Sequence, residues 1–181
     1  MFFDGSLMKK GAGLGLIFLS PLGVRMRYAI RIHFPASNNV AEYEALINGL
    51  RIATELGIWR LEIKGDSRLV VDQVMKKSGC LCPRMVAYSQ AVRLLDERFD
   101  GLELVHIPRR FNEAADQLAK MGSQRQPVPS EIFASDQYKP SICFEEEGAP
   151  GVGPSDEDAG AHPTTPDPDA PPKMTGTPHL R

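Results

Sequence analysis

Two hydrophobic periods alternate along the first two thirds of the chain, and that alternation restricts its fold more than any other feature. Residues 14–19 and 23–34 pattern as strands around the turn Ser20-Pro21-Leu22-Gly23, which predicts an antiparallel hairpin. Tyr43, Leu46, Ile47, Leu50, Ala53 and Leu56 then recur at helical spacing over residues 40–56, and Gly57 closes that helix. A short strand follows at 59–63, a helix at 67–77 directly after Asp66, and a helix at 83–99 with Pro83 in its first turn. A strand at 102–107, a loop at 108–111 and a helix at 112–121 complete the pattern. A hairpin followed by strand–helix alternation predicts an α/β domain over residues 1–124, a mixed five-stranded sheet with helices on both faces. Only three residues precede Asp4, so the first strand is expected to be short.

Charge separates along the chain. Residues 1–125 hold 18 Lys and Arg against 13 Asp and Glu, a balance of +5, whereas residues 126–181 hold 3 against 10, a balance of −7. A basic domain attracts phosphate, so nucleic acid is the partner class this balance favours. Residues 145–181 carry 8 of the 15 prolines and few large apolar side chains. Such a segment buries too little surface to offset its ordering entropy, and it is expected to be an acidic disordered tail. Residues 125–144 are expected to be a linker.

Four acids stand out against this basic background: Asp4 in Phe-Phe-Asp-Gly-Ser, Glu42 in Asn-Asn-Val-Ala-Glu, Asp66 in Lys-Gly-Asp-Ser and Asp116 in Asn-Glu-Ala-Ala-Asp. Each alone is an ordinary surface acid. Placed at strand ends and helix starts, they would repel one another unless a cation neutralised them. Mg²⁺ or Mn²⁺ takes such all-oxygen ligand sets, and a pair of such ions drives phosphodiester hydrolysis. Glu44 competes with Glu42 on the same helix but lies roughly 200° around it, so Glu44 is expected to be a solvated acid. Gly11, Gly13 and Gly15 lack the strand–loop–helix setting of a phosphate loop, and they are expected to admit a nucleic-acid backbone at a strand edge. Cys80, Cys82 and Cys143 have no zinc spacing, and an odd thiol suits a reducing compartment. No leader and no apolar run of about 20 residues is present, so an intracellular protein without a membrane span is expected.

The strings Asn38-Asn39-Val40-Ala41-Glu42-Tyr43-Glu44-Ala45-Leu46, Gly65-Asp66-Ser67-Arg68-Leu69-Val70-Val71 and Ile107-Pro108-Arg109-Arg110-Phe111-Asn112-Glu113-Ala114-Ala115-Asp116-Gln117-Leu118-Ala119 resemble, in that order, the type 1 ribonuclease H family. More narrowly, they resemble the reverse-transcriptase-like ribonuclease H domain of plant gypsy-type retrotransposon polyproteins. Pro127-Val128-Pro129-Ser130-Glu131-Ile132 is similar to the stretch that leads from that domain towards an integrase. The resemblance implies a ribonuclease H-like fold and hydrolysis of the RNA strand of RNA–DNA hybrids. It makes Asp4, Glu42, Asp66 and Asp116 the ligands of two Mg²⁺ ions. Arg109 takes the place of an arginine near the scissile phosphate, and His106 that of a loop histidine that shuttles a proton or assists release. Asn38, Asn39, Ser67 and Arg68 occupy positions that reach into the minor groove, where amides meet the RNA 2′-OH. The bland alternatives are that His106 faces solvent and that the Asn pair caps a helix. The basic protrusion of the bacterial branch is absent, so other domains of a retroelement polyprotein are expected to help hold the hybrid, with this domain a monomer.

Two rival functions remain. One is a catalytically idle retroelement relic that binds nucleic acid or protein, against which the intact four-acid set argues. The other is an integrase-like enzyme on the same fold, disfavoured by the Asn-Asn-x-x-Glu helix and the last Asp motif.

Overall fold

The computed structural model describes residues 1–76, 79 and 82–143. The acidic proline-rich tail expected from residue 145, and Cys80, lie outside the described residues. Among the described residues, six strands form one sheet: β1 (Phe2–Met8), β2 (Gly11–Leu19), β3 (Arg25–Ile32), β4 (Arg60–Gly65), β5 (Gly101–His106) and β6 (Phe133–Gln137), in the order β5-β4-β1-β2-β3-β6. The tight turns at residues 9–10 and 20–24 pair β1, β2 and β3 antiparallel, whereas β4, β5 and β6 join in parallel. Four helices cover it: α1 (Asn38–Glu55), α2 (Arg68–Val74), α3 (Pro83–Asp96) and α4 (Glu113–Ser123). Ser37 caps α1 by accepting the Val40 amide on its hydroxyl.

Strand alternation sorts the two faces. Phe3, Leu14, Leu16, Ile30 and Ile32 meet Tyr43, Leu46, Ile47 and Leu50 of α1, with Val92 of α3 in the same core. Ile17 and Ala29 point the other way and meet Ala115 and Leu118 of α4. Each buried aliphatic or aromatic side chain contributes about 1.5–3 kcal/mol over an exposed one, so α1 is fastened to the sheet along its whole length.

Four sequence expectations need correction. The first strand is not short: β1 spans 7 residues and lies centrally, between β2 and β4. Its polar positions Asp4, Gly5 and Ser6 mask the alternation, but the ladder with β2 runs from Phe2 to Met8. The sheet has six strands and not five, because the segment expected to be a linker supplies β6 along the free edge of β3. Its side chains are mostly exposed, which gives an edge strand little apolar pattern; Phe133 nonetheless stacks on Tyr28 with ring centroids 4.9 Å apart. Glu44 is not solvated but fully buried. Its carboxylate accepts the Tyr88 hydroxyl at 2.7 Å, Gln137 Nε2 at 2.8 Å, and the Ser141 amide and hydroxyl at 2.7 and 2.6 Å. Gly13 and Gly15 admit α4 and not a nucleic acid, since a Cβ on either would strike the α4 backbone. Among the described residues, no helix is long and apolar enough to cross a membrane.

Candidate active site

Register brings the first two acids together. Phe2 of β1 aligns with Lys64 of β4 in parallel, so Asp4 runs alongside Asp66, the residue just past β4. Two glycines make this junction tight. A Cβ at Gly65 would strike the Phe3 ring, and a Cβ at Gly5 would strike the α1 backbone at Ala41 and Glu42. With hydrogens at both positions, α1 seats directly on β1, and the Gly5 amide donates to Glu42 Oε2 at 3.2 Å. Asp4, Glu42 and Asp66 thereby offer carboxylate oxygens that all lie within 4.8 Å of one another.

Such proximity is costly without a counter-charge. Burial raises the Asp4 carboxyl to about 8, and the neighbouring Asp66 and Asp116 add to the shift. Burial also raises Glu42 to about 9, followed by repulsion from Asp4 and Asp66, while the Gly5 amide and Arg109 pull it back. With Asp4 and Glu42 raised in this way beside Asp66, the three form an all-oxygen ligand set that suits a hard divalent cation.

Asp116 lines the same pocket, of about 300 Å³, but stands outside that group of three. It lies in the first turn of α4, and its two oxygens are taken by Arg109 Nη2 at 2.9 Å and Lys120 Nζ at 2.6 Å. Arg109 comes from the 3-10 turn Arg109–Phe111 and lines the pocket. Asn38 lines it too, while Asn39, beside it in the first turn of α1, is exposed. Ser67 precedes α2 as its N-cap residue, and Arg68 is exposed and paired with Asp72 at 3.4 Å. His106 ends β5 in an exposed position and does not line this pocket.

Two residues escaped the sequence reading. Lys120 lines the pocket, and its signal was the i,i+4 spacing from Asp116. Asn112 is buried and donates from Nδ2 to the Phe3 carbonyl at 2.9 Å and to Asp66 Oδ1 at 3.2 Å, tying β1 to the Asp66 loop. No local pattern marks it, because its partners lie 109 and 46 residues away.

A central β1 flanked by parallel β4 and antiparallel β2, with three carboxylates gathered where α1 meets it, is of the ribonuclease H type, as its structural neighbours bear out. The chain belongs to the family described as reverse transcriptase-like, which it matches over residues 2–122. It is 39% identical over 84 residues to ribonuclease HI of Halobacterium salinarum, an overlap that covers 46% of this chain and 42% of that protein. The crystal structure of the ribonuclease H1 from that archaeon superposes with a TM-score of 0.62 at 32% identity, covering 68% of this chain and 96% of the other. A ribonuclease H1 isolated from compost, solved in complex with an RNA/DNA hybrid, superposes at 0.59 with 28% identity, covering 68% and 95%. The chain spans between about a quarter and about half the length of the curated relatives it matches.

Proposed function

We propose that this protein hydrolyses the RNA strand of RNA–DNA hybrids as the nuclease domain of a retroelement polyprotein of the gypsy type. The observation that carries the reading is the Asp4, Glu42 and Asp66 cluster, whose oxygens lie within 4.8 Å of one another in a chain of ribonuclease H fold. The donor set fits a hard divalent cation: all ligands are oxygens, and Asp4 and Glu42 are raised by burial and then by the neighbouring acids. Asp4, Glu42, Asp66 and Asp116 would hold two Mg²⁺ or Mn²⁺ ions. Such ions, when bound, supply activation of the attacking water and charge neutralisation at the departing 3′ oxygen.

The chain's own residues do the rest. The tie from Asn112 to Phe3 and Asp66 keeps two acids aligned across β1 and β4. Arg109, mostly exposed where it lines the pocket, would meet the scissile phosphate. Asn38, which lines the pocket, is assigned with Asn39, Ser67 and Arg68 to the nucleic acid, the amides to the minor groove and the 2′-OH. His106, exposed at the end of β5, is assigned to proton shuttling or release by its place in the sequence. The idle binding module keeps no observation of its own.

The test is incubation of the purified chain with a labelled RNA–DNA hybrid in Mg²⁺, Mn²⁺ or EDTA. Cleavage of the RNA strand to 5′-phosphate products is expected with either metal and none in EDTA. A folded protein inert with both metals, or active in EDTA, overturns the assignment.

A further inference from the structure

Among the described residues, Asp116 is the one of the four acids that carries two cationic partners. Arg109 Nη2 bonds its Oδ1 at 2.9 Å and Lys120 Nζ its Oδ2 at 2.6 Å, so both oxygens are engaged. The carboxylate is largely buried, whereas the two cations are more open to solvent. Lys120 sits one turn along α4 from Asp116, and its ammonium and the Arg109 guanidinium line the same pocket as Asp4, Glu42 and Asp66. The charge of Asp116 is already shared between two cations, so a metal ion that binds this carboxylate competes with both for it.

We propose that Lys120 is a positioning residue that, together with Arg109, competes with the divalent cation for Asp116 and is passed to a phosphate of the nucleic acid when Asp116 turns to the cation. The inference rests on the functional assignment above and adds to it an exchange of partners. Without a cation, the pair from Lys120 holds Asp116 outside the three-acid cluster. With a cation, Asp116 joins the cluster, and the released ammonium lies beside the pocket where a phosphate oxygen can accept it. Cation and nucleic acid then favour one another's binding, since each draws on a partner that the other frees.

The test is isothermal titration calorimetry of Mn²⁺ and of Mg²⁺ into the full chain, for the wild type, Lys120→Met, Lys120→Arg, Asp116→Asn and the Lys120→Met/Asp116→Asn double variant. Methionine keeps the aliphatic stem of Lys120, so α4 packing is retained, and a melting curve confirms the fold of each protein. Lys120→Met is expected to tighten cation binding roughly tenfold. Lys120→Arg is expected to stay within about twofold of wild type, and in the Asp116→Asn background the effect of Lys120→Met should shrink below about twofold. A purely structural lysine would leave affinity unchanged or weaken it, and either result overturns the inference. A gain that persists in the Asp116→Asn background also overturns it, because a general field effect would then suffice. If the wild type binds cation and Lys120→Met changes nothing, only this inference falls; if none of the five proteins binds cation, the functional assignment falls and takes the inference with it.

Discussion

Glu44 and Tyr88 are joined by a hydrogen bond of 2.7 Å between α1 and α3, and neither residue touches solvent. Burial, and then this contact, raises the Tyr88 phenol well above its ordinary value. The same Glu44 carboxylate holds the end of β6 through Gln137 and the polypeptide after it through Ser141. Glu42, two residues earlier, is part of the acidic cluster. One helix thus carries the site on one side and an anchor for the C-terminal segment on the other.

Removing that anchor should be costly. Glu44→Ala leaves the Tyr88 hydroxyl and the Ser141 amide without their acceptor, and each stranded buried donor costs about 1–3 kcal/mol. A loss of about 3 kcal/mol in urea unfolding is expected, with the folded baseline retained. A change under about 0.5 kcal/mol would mean that water replaces the carboxylate.

Truncation should distinguish the two expected domain ends. A chain of residues 1–143 keeps β6 and the Ser141 contacts, and its melting temperature and cleavage rate are expected to equal those of the full protein. A chain of residues 1–124 loses β6, exposes the β3 edge and strands Glu44. It is expected to melt lower and to aggregate on heating, as followed by circular dichroism and light scattering.

Asp66→Asn should abolish cleavage without unfolding the domain. The Asn112 amide can still donate to an Asn side-chain oxygen, while repulsion on Asp4 and Glu42 falls. In EDTA at neutral pH the variant is expected to melt at or above the wild-type temperature. A large drop would make Asp66 a structural residue.

The metal-free protein should lose stability as pH rises. Asp4 titrates at about 8 and Glu42 at about 9 in the folded state, against about 4 in an unfolded chain. For groups raised on folding, the stabilising contribution is whole below the unfolded pKa and is lost as pH climbs through the folded one. Urea midpoints in EDTA are therefore expected to fall from pH 5 to pH 9. A saturating divalent cation holds the ligands deprotonated and should flatten that slope. A midpoint that rises over the same window in EDTA would contradict the acidic cluster as described.

Sequence alone determined the strand and helix order from β2 to α4 and the four acids of the pocket, because these rest on local periodicity and short motifs. Gly5 and Gly65 lay within those motifs, yet only packing showed why they are glycine: the helix backbone and the Phe3 ring occupy the space of a Cβ. Tertiary structure alone decided the sixth strand, since β6 is held by the β3 edge and by Tyr28, more than 100 residues earlier in the chain. It reversed the expectation for Glu44, because helical spacing tells which way a side chain points but not that α3 and residues 137–141 cover that side. It also separated Asp116 from the other three acids. A motif gives a carboxylate its place in the chain, but Arg109 and Lys120 take one oxygen each of Asp116 only once the fold has set all three side by side.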